Sequence, residues 1–209
     1  VDYIGQLEDD VADLIATMRT DDEYGQVVLG GHSSGGGLVV RFAGGEHGGL
    51  ADAFVLMAPF LKYNAAWTRP NSGGWAHPAT RRIIGLTMLN AVGITLLNHL
   101  PVISFAMPEE VLAGPYGDTA TTAYSFRMNT SFAPRPDYEG DLAAMHQPLL
   151  LIAGSEDEAF HADRYEEVIA AQTDSGTYGI LPGISHLGVV TEAAAIEAVG
   201  DWVEGLSPP

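Results

Sequence analysis

Gln26-Val27-Val28-Leu29-Gly30-Gly31-His32-Ser33-Ser34-Gly35-Gly36-Gly37 is the stretch on which the fold turns. Residues 26–30 form a short apolar run of the kind buried on both faces of a parallel sheet. The glycine-rich half leads into Leu38-Val39-Val40-Arg41-Phe42-Ala43, which predicts a helix over residues 34–43. Gly31-His32-Ser33-Ser34-Gly35 has the form G-x-S-x-G, with a strand before it and a helix after it. That context puts Ser33 on a strained strand-to-helix turn, where glycines two positions to either side let the chains pass. The start of the helix aims free backbone N–H groups at the place where negative charge would develop. The bland alternative is a Gly-rich turn whose serine caps the helix.

Upstream, residues 2–19 have helical spacing, with Ile4, Leu7, Val11, Leu14, Ile15 and Met18 on one face. Glu8, Asp9, Asp10 and Asp13 mark the opposite, solvated side, and Asp21, Asp22 and Gly25 turn the chain into the first strand. Downstream, strand-like runs recur at residues 53–58, 148–153 and 177–181, with helical stretches at 161–171 and 193–206. Strands alternating with helices predict an α/β fold, a mostly parallel sheet with helices on both faces. The alternation breaks once. Residues 61–140 carry aromatic and Pro-rich loops around a helical stretch at 81–97, which predicts a helical lid or cap inserted into a core of residues 1–60 and 141–209. Its apolar residues, Ile83, Ile84, Leu86, Met88, Leu89, Val92, Ile94, Leu96 and Leu97, either line an acyl-chain pocket or pack within the lid.

Composition narrows the class. The chain has 9 Lys and Arg against 27 Asp and Glu, a net charge of −18 that repels phosphate backbones and argues against a nucleic-acid partner. There is no cysteine, which excludes disulfides, thiolate catalysis and zinc-thiolate sites. No set of His, Asp and Glu has metal-ligand spacing, and no phosphate loop or dinucleotide fingerprint occurs, so neither metal nor cofactor is expected. The longest apolar run, residues 83–107, is broken by Asn90, Asn98, His99 and Pro101, which argues against a membrane span. No signal peptide is visible at Val1-Asp2-Tyr3-Ile4.

A serine hydroxyl is a poor nucleophile until a base takes its proton and a third group orients that base. The chain offers both, each just beyond a later strand. Ser155-Glu156-Asp157-Glu158 follows Leu151-Ile152-Ala153-Gly154, and His186 follows Leu181-Pro182-Gly183-Ile184-Ser185. Any of the three acidic residues can serve on this reading. His186 alone among seven histidines follows a strand after the acid loop; His99, within the apolar run, reads as a core histidine.

With these residues the sequence resembles the α/β-hydrolase superfamily, in particular its lysophospholipase and monoacylglycerol-lipase-like serine esterases. The resemblance runs along essentially the whole chain. It implies Ser33 as nucleophile, Asp157, by its offset from Gly154, as the acid, and His186 as the base. It further implies the backbone N–H of Ser34 as an oxyanion-hole donor. The implied activity is hydrolysis of a small-molecule or lipid-like carboxylic ester through an acyl-enzyme, falling on the acid side as the imidazole takes up a proton. The resemblance also implies four further strands before the first helix and a His-Gly loop giving a second oxyanion donor, which nothing before Ser33 matches. Residues 26–30 are then expected at a sheet edge that an N-terminal segment or a second copy covers. The rival expectation is a catalytically silent binding domain or half-fold.

Overall fold

The computed structural model describes residues 1–20 and 25–206; of the turn expected at Asp21, Asp22 and Gly25, the two aspartates lie outside the described residues. The chain opens with α1 (Gln6–Thr20), enters β1 (Val28–His32) and returns through α2 (Ser34–Ala43) to β2 (Ala53–Met57). The alternation then stops. β3 (Ala76–Pro78), α3 (Thr80–Ala91), β4 (Pro101–Phe105), α4 (Glu109–Leu112), β5 (Ala123–Ser125), α5 (Phe126–Phe132) and α6 (Tyr138–Ala143) intervene. The main sheet resumes with β6 (Leu149–Gly154), α7 (Tyr165–Ala170), β7 (Gly176–Leu181) and α8 (Ala193–Glu204).

The main sheet has the order β1-β2-β6-β7, and every pair is parallel. Its two central strands are apolar throughout because both faces are covered. Phe54, Leu56, Leu149 and Leu151 face one core with Val39, Val40 and Phe42 of α2, whereas Val55, Leu150 and Ile152 meet Ala195 of α8 on the other. β1 starts two residues later than expected and runs up to the turn, pairing Val28 with Ala53 and His32 with Met57. It lies at an edge of the sheet, where the resemblance put it, and Gly30 in it is exposed.

Residues 61–140 differ from the expected helical insertion. α3 is there, but beside it lies a three-stranded antiparallel sheet, β3-β4-β5. α3 also stops at Ala91 rather than running to residue 97, because Gly93 takes φ 81° and the N–H groups of Val92 and Ile94 fold back onto Leu89. Leu86 of α3 is buried with Val102 and Phe126, and Ile83 and Leu89 pack against them. The remaining apolar residues, Ile84, Met88, Val92, Ile94, Leu96 and Leu97, are exposed. His99 is exposed too, not a core residue; its Nδ1 meets the Leu96 carbonyl.

One residue of α1 departs from the expected solvated side. Glu8 is buried, and its carboxylate pairs with Arg41 of α2 at 2.5 Å and with Arg135 at 2.6 Å, while Arg135 also reaches Asp141 of α6. The two guanidinium groups supply the compensation that a buried carboxylate needs. Among the described residues no helix is long and apolar enough to cross a membrane.

Candidate active site

β1 delivers the chain into Ser33 at φ 52° and ψ −116°, a region where a residue bearing a Cβ is strained. The strain is held by the neighbours. The Ser33 N–H donates to the Met57 carbonyl at 3.0 Å, and the Ser33 carbonyl accepts from Gly37 at 3.1 Å and Phe60 at 2.9 Å. Gly31 is obligatory here, since a Cβ on it would lie 2.3 Å from the Gly35 carbonyl oxygen. Gly35 is not: a Cβ there meets nothing within 4 Å. The expectation of two equivalent glycines is corrected by the direction of α2, which turns Gly36, rather than Gly35, against Pro59.

Asp157 follows the end of β6 and is 2% exposed. Its Oδ1 accepts from the backbone N–H groups of Ala159 and Phe160 at 2.8 and 2.7 Å, and its Oδ2 lies 2.8 Å from Nδ1 of His186. His186 follows β7 and is likewise 2% exposed; its Nε2 lies 3.0 Å from the Ser33 hydroxyl oxygen. A carboxylate accepts only, so Nδ1 carries the proton and Nε2 is left to accept from the serine hydroxyl. The three side chains singled out from sequence are thus joined in one hydrogen-bonded chain at the carboxyl ends of the parallel strands. Ser34, beside them, begins α2, where a backbone N–H has no partner in the preceding turn.

Around this chain Glu158, one of the three acids that the residues alone left open, takes another part, and His32 was not singled out from sequence. The backbone N–H of His186 donates to Glu158 Oε2 at 2.9 Å, and its carbonyl accepts from His32 Nε2 at 2.9 Å. The His32 and His186 rings lie 4.6 Å apart. Burial, and secondarily the nearby His186, lowers the pKa of His32 to about 4, so the ring stays neutral with the proton on Nε2. The only local hint was the position of His32 in the turn; that it reaches a loop 154 residues away is a property of the fold.

Other acids and histidines go elsewhere. Glu156 is exposed, Asp137 caps α6 by accepting from Gly140, and Asp141 pairs with Arg135. His47 bonds Asp9 at 3.0 Å. Among the described residues no group of three or more His, Cys, Asp or Glu is placed to hold a metal ion.

A cavity of about 60 Å³ opens beside Ser33 and Ser34. Its walls are aromatic, with Phe60, Trp75, Phe105, Tyr124, Phe132 and Phe160 drawn from widely separated segments. Ile103 and Tyr124 stand opposite each other in the antiparallel pair and so face it together. Burial raises the pKa of the Tyr124 phenol, against a smaller opposing effect of the Ser34 side chain.

A family model described as serine aminopeptidase, S33, matches residues 1–192 of the 209. The chain belongs to that family. It has the α/β-hydrolase fold and is a hydrolase of that superfamily. Solved structures agree on the fold. The monoacylglycerol lipase of Paleococcus ferrophilus is 16% identical with a TM-score of 0.64, over 97% of this chain and 74% of that one. A thermophilic esterase from Thermogutta terrifontis is 18% identical with a TM-score of 0.59, over 98% and 73%. A bromoperoxidase-type protein from Mycobacterium tuberculosis H37Rv, described as putative and non-heme, is 16% identical with a TM-score of 0.58, over 98% and 75%. The comparison with curated proteins found no match.

Proposed function

We propose that this S33-family hydrolase cleaves carboxylic esters through an acyl-enzyme, with Ser33 as nucleophile, His186 as base and Asp157 as the residue that orients it. The observation that carries the reading is the hydrogen-bonded chain Ser33–His186–Asp157, at 3.0 and 2.8 Å, starting from a strained serine. In this reading Ser33 Oγ attacks the ester carbonyl as its proton passes to His186 Nε2, and Asp157 stabilises the resulting imidazolium. The Ser34 N–H donates to the oxyanion. His186 then protonates the leaving alcohol, and water activated by the same nitrogen releases the acid and restores the serine. Residues 61–140 act as a cap whose inner side walls the reaction space.

Esters are favoured over peptides because no Asp or Glu lines the described cavity to hold the ammonium group that an aminopeptidase must recognise. The lipase and esterase among the structural neighbours point the same way. The silent-domain rival is separated by a fluorophosphonate probe. Labelling of wild type that Ser33→Ala abolishes supports the enzyme, and folded wild type that takes no label sinks it. Turnover of amino-acid p-nitroanilides in preference to p-nitrophenyl esters would replace ester with amide.

The exposed edge at β1 belongs to the same proposal: a further strand, from an N-terminal segment or a second copy, covers it. Gel filtration showing a well-folded monomer of these 209 residues alone would remove that element.

A further inference from the structure

We infer that the cavity beside Ser33 is the acyl subsite and admits only compact acids, of about four carbons or fewer, so that the substrates are short-chain esters; this rests on the ester-hydrolase reading above. Three observations carry it.

The first is which end of the substrate the cavity holds. Its walls include Ser33 and Ser34 but not His186. The leaving alcohol must lie at His186 Nε2 to receive its proton, on the side of Ser33 that the imidazole occupies at 3.0 Å. The part of the ester held away from that nitrogen, next to Ser34, is the acid.

The second is size. The cavity measures about 60 Å³. A cavity of about 150 Å³ takes benzene, about 25 Å³ per carbon, so this space holds roughly two to three carbons beyond the carbonyl seated at Ser33. Acetyl to butyryl groups fit, and benzoyl and octanoyl groups do not.

The third is that the walls lock one another. Tyr124 stacks on Phe132 at 5.2 Å and 15° and meets Phe105 edge-on at 4.8 Å, while Phe160 packs against His186 at 5.2 Å. Widening the space separates these rings or displaces the imidazole itself. No apolar channel extends it along α3, because Ile84, Met88 and Val92 face solvent and none of the residues 83–97 lines it.

The test is kcat/KM of the full chain on p-nitrophenyl acetate, butyrate, octanoate and benzoate, with Ser33→Ala as control. The expected result is a maximum between acetate and butyrate, with octanoate and benzoate lower by at least about 10-fold. Phe105→Ala and Phe132→Ala, at partly exposed wall positions, should raise the octanoate to butyrate ratio. Octanoate turned over as well as butyrate by wild type, through Ser33, overturns the subsite and leaves the hydrolase reading standing. No turnover and no fluorophosphonate labelling of folded wild type overturns both. If neither variant folds, the wild-type ranking decides alone.

Discussion

Asp157 and His186 meet at 2.8 Å with both residues only 2% exposed, so a carboxylate and an imidazole share a hydrogen bond that water does not reach. The other carboxylate oxygen is held by two backbone N–H groups, leaving the acid no freedom to turn away. Such a pair sets the tautomer of the imidazole, and with it the nitrogen that faces Ser33.

Asp157→Asn tests that role. An amide in this position offers an N–H to Nδ1 and drives the proton to Nε2, the nitrogen that has to accept from the serine. The expected outcome is a fall in kcat of about 10⁴-fold with little change in KM. Steady-state kinetics on a p-nitrophenyl ester checks it, and a variant that keeps more than a tenth of wild-type kcat would show that Asp157 does not orient the base.

His32 is expected to act as a positioning residue, through the carbonyl of His186. His32→Leu removes the donor to the His186 carbonyl and leaves the backbone of His186 with its Glu158 contact. Displacement of the imidazole should lower kcat by about 10²-fold, with KM nearly unchanged. His32→Gln, whose amide nitrogen reaches about as far as the ring Nε2, should recover most of the loss. Equal activity in the two variants would mean that only ring packing matters.

His32 also predicts a pH dependence of stability. Its pKa in the folded chain is about 4, below an unfolded value of about 6.5. Between those values the unfolded chain binds a proton that the folded chain refuses, so stability falls as pH drops from about 6.5 towards 4 and is unaffected by this group above that range. The full effect is up to roughly 3 kcal/mol. Urea denaturation of wild type and His32→Gln across that window should show the wild type losing more stability on acidification. Parallel pH curves would place the His32 pKa near its ordinary value.

The two glycines of the G-x-S-x-G turn are expected to behave differently. Gly31→Ala forces a Cβ onto the Gly35 carbonyl and should leave little folded, active protein. Gly35→Ala enters open space in α2, where alanine is the better helix former by about 1 kcal/mol, and should be tolerated with unchanged or raised Tm. Thermal melts of both variants decide the matter, and equal damage would mean that Gly35 is crowded after all.

Much was legible from sequence because it is local. The parallel strands are continuous apolar runs, the turn at Ser33 has glycine where the backbone requires it, and Asp157 and His186 follow directly on strand ends. Residues 61–140 were legible only at α3. Strands as short as Ala76–Pro78 and Ala123–Ser125 exist because a partner strand is present, and three residues have no period to read. Pattern alone also put Glu8 with its solvated neighbours and left the apolar residues of 83–97 between pocket and packing.

The sequence by itself determined the order and type of the core elements and put Ser33 and His186 just beyond strand ends, since periodicity, turn chemistry and chain order act over a few residues at a time. Among the three acids after β6, only the family resemblance singled out Asp157. Only the tertiary structure decided what surrounds them: Glu8 drawn inward by two arginines, His32 reaching the base loop, and Tyr124 and Phe132 closing a small space beside Ser33. Burial and contact depend on what arrives from the far side, and a residue's own neighbours in the chain carry no record of that.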